Sequence, residues 1–217
     1  MSCLFCFSTD KPEKEDMKGK YGEQYGKYLD YRETYDITMC QAPCKEPCCW
    51  MASMLCFCCA QVSMRKKALN HVYPDSEWDE YICCQGYFGG LCCFQPGKMG
   101  EKSCPAPCMC LESCCCPGLA VSATSALIRD KYELGLDEDD IRLIRLNNCL
   151  QMLACAAKLL NICIDFEGDD ACVAILDCIA ETVFCCTSGC MTAQVYHEIE
   201  LRENPKPPES EQMERLL

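Results

Sequence analysis

The sequence predicts a mostly α-helical, cysteine-rich domain with a long C-terminal antiparallel helical hairpin, Gly/Cys-rich irregular loops and little strand. Three observations predict it. Leu143, Leu146, Leu150, Leu153, Ala157, Leu160 and Ile164 recur at alternating steps of three and four, which is the stripe of one helix face. A second apolar stretch, from about Ala171 to Cys186 and resuming from Met191 to Leu201, follows the turn Glu167-Gly168-Asp169-Asp170, so the two read as a hairpin. Finally, 27 of the 217 residues are cysteine, a density that signals a fold held partly through sulfur.

At this length the chain can bury a core of one or two domains. The apolar content of 50 % counts cysteine, so the aliphatic core is thinner than that figure suggests. A net charge of −13 excludes a generic electrostatic binder of nucleic acid, because neutralising phosphates needs clustered Lys and Arg. The chain divides into a tail with a tyrosine-striped helix (1–39), a cysteine-rich helical domain (40–200) and a polar tail (201–217).

The start, Met1-Ser2-Cys3-Leu4-Phe5-Cys6-Phe7, lacks the basic opening, long apolar run and small-residue cleavage site of a secretory signal peptide. This predicts a cytoplasmic chain, in a compartment where disulfides are scarce. Cys3 and Cys6 are the candidate lipidation sites, in an apolar tip suited to S-acylation. Residues 8–20 read as a charged linker. Tyr21, Tyr25, Tyr28, Tyr31 and Tyr35 then fall on one face of a predicted helix, despite Gly22 and Gly26. That stripe either packs on the protein's own core or forms an interface for a protein partner.

A turn-rich cluster with Cys40, Cys44, Cys48 and Cys49 leads into a helix predicted from Trp50 to Val72. Its last turns carry Arg65-Lys66-Lys67, cations that complement the helix dipole. Residues 73–103, with five glycines and two cysteine pairs, are loop or hairpin and the one place where strand is expected. Cys104-x3-Cys108 with Pro107 echoes Cys44-x3-Cys48 with Pro47. Each is followed by cysteines and then a helix with basic residues towards its end, as in a duplicated unit. Asp137 is the predicted N-cap of the hairpin's first helix. Residues 149–164 carry only Lys158 as a formal charge, and the next helix is interrupted by Asp177 and Glu181. Sixteen apolar residues fall short of the ~20 of a membrane span, so a buried or interfacial hairpin is preferred to two spans.

The chemistry follows the cysteines. Adjacent pairs at 48–49, 58–59, 83–84, 92–93 and 185–186, with the triplet 114–116, can pack as small hydrophobes or hold a thiophilic metal. With only His71 and His197 available, a zinc site would be mainly thiolate. Asp177 and Glu181, one turn apart, read as a polar stripe rather than an acid/base pair. The acidic turn at 165–170 lacks the ligand spread of a calcium loop. No phosphate-cradling loop, nucleophile elbow or zincin pair is present, so no enzyme is expected.

Two stretches carry a family resemblance. Cys110-Leu111-x4-Cys116-Pro117 resembles the Cys-Leu-x4-Cys-Pro-Cys signature of the placenta-specific 8 cysteine-rich family, with Gly118 in place of the last cysteine. Phe184-Cys185-Cys186, Cys190, Gln194 and Glu198 resemble the same family's closing cluster, and Arg129 to Tyr132 and Asn148-Cys149-Leu150 resemble positions between. The resemblance covers about residues 104–200. It implies a membrane-associated, often oligomeric protein linked to growth control and heavy-metal handling, without an enzymatic mechanism. The cysteines it brings forward are Cys110, Cys116, Cys185, Cys186 and Cys190; with Cys114 they form the candidate metal set.

The expected function is therefore a non-enzymatic scaffold or interaction subunit, associated with a membrane or a large assembly. Its partners would be proteins or a second copy of the chain, with peripheral membrane contact and no nucleic acid. Thiolate metal homeostasis, with zinc as the cofactor, is the alternative; a thiol redox enzyme is the third.

Overall fold

The computed structural model describes residues 26–76, 78–89, 95–98, 100–164 and 170–205. Seven α-helices are present among them: α1 (Ala42–Lys45), α2 (Pro47–Leu55), α3 (Phe57–Val72), α4 (Pro105–Cys115), α5 (Pro117–Tyr132), α6 (Glu138–Ile164) and α7 (Asp170–Glu203). The mostly helical, cysteine-rich class with a C-terminal hairpin is what the sequence predicts. α7 is the spine, against which α1, α2, α3, α5 and α6 all pack. The described parts of 73–103 contain no strand. They form 3-10 turns at Cys83–Gly86 and Glu101–Ser103, and the β-pairing found is an isolated parallel bridge between Glu33 and Leu134.

The expected helix from Trp50 to Val72 is two helices. Cys56 takes φ −139° and ψ 78°, outside the helical region, and separates α2 from α3. Cys116 does the same between α4 and α5 at φ −137° and ψ 57°, and α5 turns away from α4 by 120°. Pro117 explains the second break, since a residue before proline is pushed out of the α region. Phe57 offers no such reason for the first. The two halves match in detail. Each short helix opens on proline (Pro47, Pro105) and each long one has 16 residues. Each short helix also carries a buried serine bonded one turn back: Ser53 Oγ donates to the Cys49 carbonyl and Ser113 Oγ to that of Met109, both at 2.9 Å. The echo in sequence is thus a repeated bent helix pair.

The core lies where α3, α4, α5 and α7 converge, around Leu69, Met109, Ile128 and Ile199, with Tyr81 and Leu134 from the connections. Within its described part the tyrosine segment is helical only at its start, at Gly26 and the 3-10 turn that follows. After a 3-10 turn at Lys27–Leu29 the chain runs as an irregular strap. Tyr21 and Tyr25 lie outside the described residues. Tyr28 and Tyr35 are buried: Tyr28 Oη donates to Asp130 at 2.8 Å, and Tyr35 Oη donates to the Ser125 carbonyl at 3.0 Å. Tyr31 is half-buried, edge-on to Tyr28. The strap is pinned along its length. Gly135 N–H donates to the Glu33 carbonyl (2.6 Å), Asp36 N–H to Glu198 (3.1 Å), and Met39 N–H to Asp140 (2.9 Å). Residues 28–39 are thus held against the helical domain by hydrogen bonds to Asp130, Ser125, Gly135, Asp140 and Glu198.

In the hairpin, Asp137 caps α6 as predicted, its Oδ1 accepting from Asp139 N–H at 2.9 Å. Gln194 donates to Asp140, Gln151 donates to the Ala180 carbonyl, and Lys158 pairs with Asp177, so α6 and α7 run antiparallel. α7 is one continuous helix with no break between 186 and 191.

Candidate functional site

The contacts of α7 order the molecule along one axis. His197 bonds Glu46 at 2.7 Å, Gly189 lies against the Trp50 ring, and Phe184 faces Phe57 with ring centroids 6.1 Å apart. Gly118, at the start of α5, also lies against Phe184. The bend of each helix pair thus meets α7 near residue 184, and the hairpin continues beyond that level. There its aliphatic side chains face outward: Met152, Leu153, Leu159 and Leu160 on α6 and Ile175 and Ile179 on α7 are exposed, Leu159 by 58 % and Ile175 by 60 %. In the apolar window of Ala171–Glu203 only 17 % of residues are buried by the rest of the protein. Leu55, 81 % exposed, adds to the apolar surface where α2 bends into α3, and Leu111, 64 % exposed, lies on α4 one turn before its own bend. Among the described residues, α7 is long and apolar enough to cross a membrane, and the bent pair α4–α5 passes the same test only if taken as one broken span; the apolar part of α7 is little buried by the rest of the protein. Asp177, one of the two interrupting carboxylates, is paired with Lys158 of α6 at 2.5 Å. The acidic turn at 165–169 lies outside the described residues.

A second candidate is internal. Cys83, Cys84 and Glu112 bring three ligand atoms within 4.8 Å of one another, all from buried residues, a possible metal-binding group. Glu112 is already engaged through both oxygens. Oε1 accepts from Arg65 Nη2 at 3.1 Å, and Oε2 accepts from Tyr81 Oη at 3.0 Å and from Cys84 N–H at 2.8 Å. The chain bends sharply to deliver that N–H: Cys84 and Gln85 lie at φ 47° and 48°, a left-handed conformation costly for non-glycine residues. Arg65 is also bonded by Thr124 Oγ1 and the Ala120 carbonyl, both at 2.8 Å. The Cys83 thiol is pushed up by its neighbour Cys84, by burial and by the Glu112 charge, so it stays protonated. A metal would have to displace protein donors and a proton. Sequence reasoning missed this node because Arg65-Lys66-Lys67 reads as an exposed basic turn.

The six cysteines of the expected metal set lie on two helices and the bend between α4 and α5. Cys110 and Cys114 are exposed on α4, with Cys114 Sγ 3.2 Å from Cys58 Sγ. Cys116 is the bend residue, and Cys185 and Cys186 are half-buried on α7. Cys190 is buried, and that burial raises its thiol to about 11. None of the six belongs to the compact group around Glu112. Cys56 and Cys59 are joined as a disulfide at the start of α3. Cys3 and Cys6 lie outside the described residues. Each histidine has both ring nitrogens engaged by oxygen: His71 by Glu203 and Tyr132, His197 by Glu46 and Asp36.

Family models, curated proteins and solved structures were all compared with the chain, and none matches it.

Proposed function

We propose that this protein is a non-enzymatic, membrane-associated scaffold whose C-terminal hairpin enters the apolar layer of a bilayer. The observation that carries it is the outward-facing aliphatic surface of both hairpin helices, extended at the hairpin base by Leu55. An apolar surface of this extent costs about 25 cal/mol per Å² while it faces water. The net charge of −13 argues for insertion by apolar burial rather than attraction to anionic headgroups. The resemblance to the placenta-specific 8 family supports the same reading. So does the direction of the thiol shifts. Burial raises Cys49, Cys108 and Cys116, and Cys58 raises its neighbour Cys114. A nucleophilic thiol needs the opposite shift.

Flotation of the full-length protein with zwitterionic phosphatidylcholine vesicles tests this. Wild type is expected to float, with little dependence on salt, and the pair Leu159→Glu with Ile175→Glu to stay behind. A wild type that remains in the aqueous layer as a stable dimer with the hairpin protected would replace lipid by a second copy.

The alternative, thiolate metal homeostasis, draws on the group of Cys83, Cys84 and Glu112. Elemental analysis of protein purified without chelator decides it; less than about one zinc per chain removes it.

A further inference from the structure

Between α5 and α6, floored by α7, lies a cavity of about 620 Å³. This is within the range of sites that bind small organic molecules, roughly 300–1,000 Å³. It exists because α5 turns small residues towards it: Gly118, Ser122 and Ala126, one turn apart, leave unfilled the space that larger side chains would take. The opposite wall is Ile144, Asn147, Asn148 and Gln151 of α6, and the floor includes Phe184, Ser188 and Met191 of α7. The lining is thus apolar with hydroxyl and amide groups interspersed. Its one charged residue, Arg129, is turned to the Gly135 carbonyl and to Asp140. A charged ligand would find no free counter-charge.

One polar atom in this wall has no partner. Asn147 Oδ1 is shielded from solvent and accepts no hydrogen bond, while its own amide nitrogen reaches Asn148 Oδ1 at 3.5 Å. A buried acceptor left unmade costs about 1–3 kcal/mol, and a ligand hydroxyl would relieve it. Gln151 and Phe184, which line it, stand at the level where the hairpin becomes exposed, beginning with Met152 and Leu153. The cavity therefore adjoins the surface assigned above to lipid, and the source of its ligand rests on that reading.

We propose that this cavity binds a neutral hydroxylated lipid, its hydroxyl donating to Asn147 Oδ1 and its hydrocarbon lying along Gly118, Ser122 and Ala126. Diacylglycerols and sterols share that chemistry.

The test uses full-length protein with photoreactive, clickable analogues of a diacylglycerol and of a sterol, each also as its hydroxyl-acetylated form. Labelling is mapped by mass spectrometry. Saturable labelling of peptides spanning 117–129, 144–151 and 184–191 is expected from at least one hydroxylated probe, and which probe labels identifies the source. The acetylated form should label those peptides at least fivefold less. Ser122→Trp, which fills the space, should abolish the signal, and Asn147→Leu should remove the preference for the free hydroxyl. If Ser122→Trp does not fold, Asn147→Leu decides. No saturable labelling, or equal labelling by the acetylated forms, overturns the proposal. Probes are offered both in vesicles and in detergent micelles. Labelling in micelles by a protein that ignores vesicles would retain the site and discard the membrane reading; vesicle binding without labelling would do the reverse.

Discussion

Arg65 and Glu112 form an ion pair 3.1 Å apart with both side chains fully withdrawn from solvent. A buried pair of this kind is not in itself a large source of stability, but breaking it strands a charge. Glu112→Ala leaves Arg65 unpaired and is expected to cost about 3–5 kcal/mol in denaturant unfolding. Glu112→Gln, which keeps the shape and can accept from Tyr81 and Cys84, should cost less. Equal losses for the two would show that the charge is not what matters at this position.

Stability should fall as pH rises above about 9. Burial raises Cys49 to about 11 and Tyr35 to about 12, and the Cys83 thiol is raised above its ordinary 9.0 by its neighbours and burial. Above 9.0 the unfolded thiols release protons that the folded ones retain, so the unfolded state gains and the folded state loses, up to the folded values. Chemical denaturation at stepped pH checks this, and Cys49→Ala should flatten the slope between 9 and 11. A flat profile in wild type would contradict the burial of these groups.

Cys155, Cys172 and Cys178 are free, exposed thiols on the hairpin, whereas Cys44 and Cys48 are exposed near the opposite end of the spine. With maleimide and neutral vesicles, the hairpin thiols are expected to lose reactivity at least fivefold while Cys44 and Cys48 keep theirs. Uniform protection would mean aggregation rather than insertion.

Gly135 closes against the strap so tightly that an added Cβ would lie 2.5 Å from the Tyr31 carbonyl oxygen and 3.1 Å from that of Tyr28. Both are backbone atoms and cannot swing away. Gly135→Ala should cost about 1–3 kcal/mol and speed proteolysis within 26–39 first. A variant as stable and as protease-resistant as wild type would show that the strap is held elsewhere.

Cys58 and Cys114 join the two bent units at 3.2 Å between sulfurs. A thiol cross-linker with a short arm should connect peptides 57–65 and 105–115, and Cys114→Ser should abolish that product. Absence of the cross-link in native protein would separate the two bends.

The hairpin was legible because its apolar steps and the Asp137 cap are local signals that a helix obeys whatever packs on it. Tyr31 and Tyr35 misled for the opposite reason: after the 3-10 turn the chain is an irregular strap, and the segment's rings reach separate places, Asp130 for Tyr28 and Ser125 for Tyr35. Pro117 accounts for the bend at Cys116 once the structure shows it, whereas Cys56, in nearly the same conformation, is followed by no proline. Arg65 could not be read as buried, because its partner lies 47 residues away. The exposure of the hairpin was equally hidden, since an apolar run looks the same to its own sequence whether protein or lipid covers it.

That separation has a consequence for synthesis. Arg65 belongs to the first bent unit and Glu112 to the second. At roughly 5–20 residues per second, the ribosome delivers the carboxylate about 2–9 s after the guanidinium. Until then Arg65 lacks the carboxylate, the Thr124 hydroxyl and the Ala120 carbonyl that hold it in the folded protein. The two bent units thus share one buried charge pair.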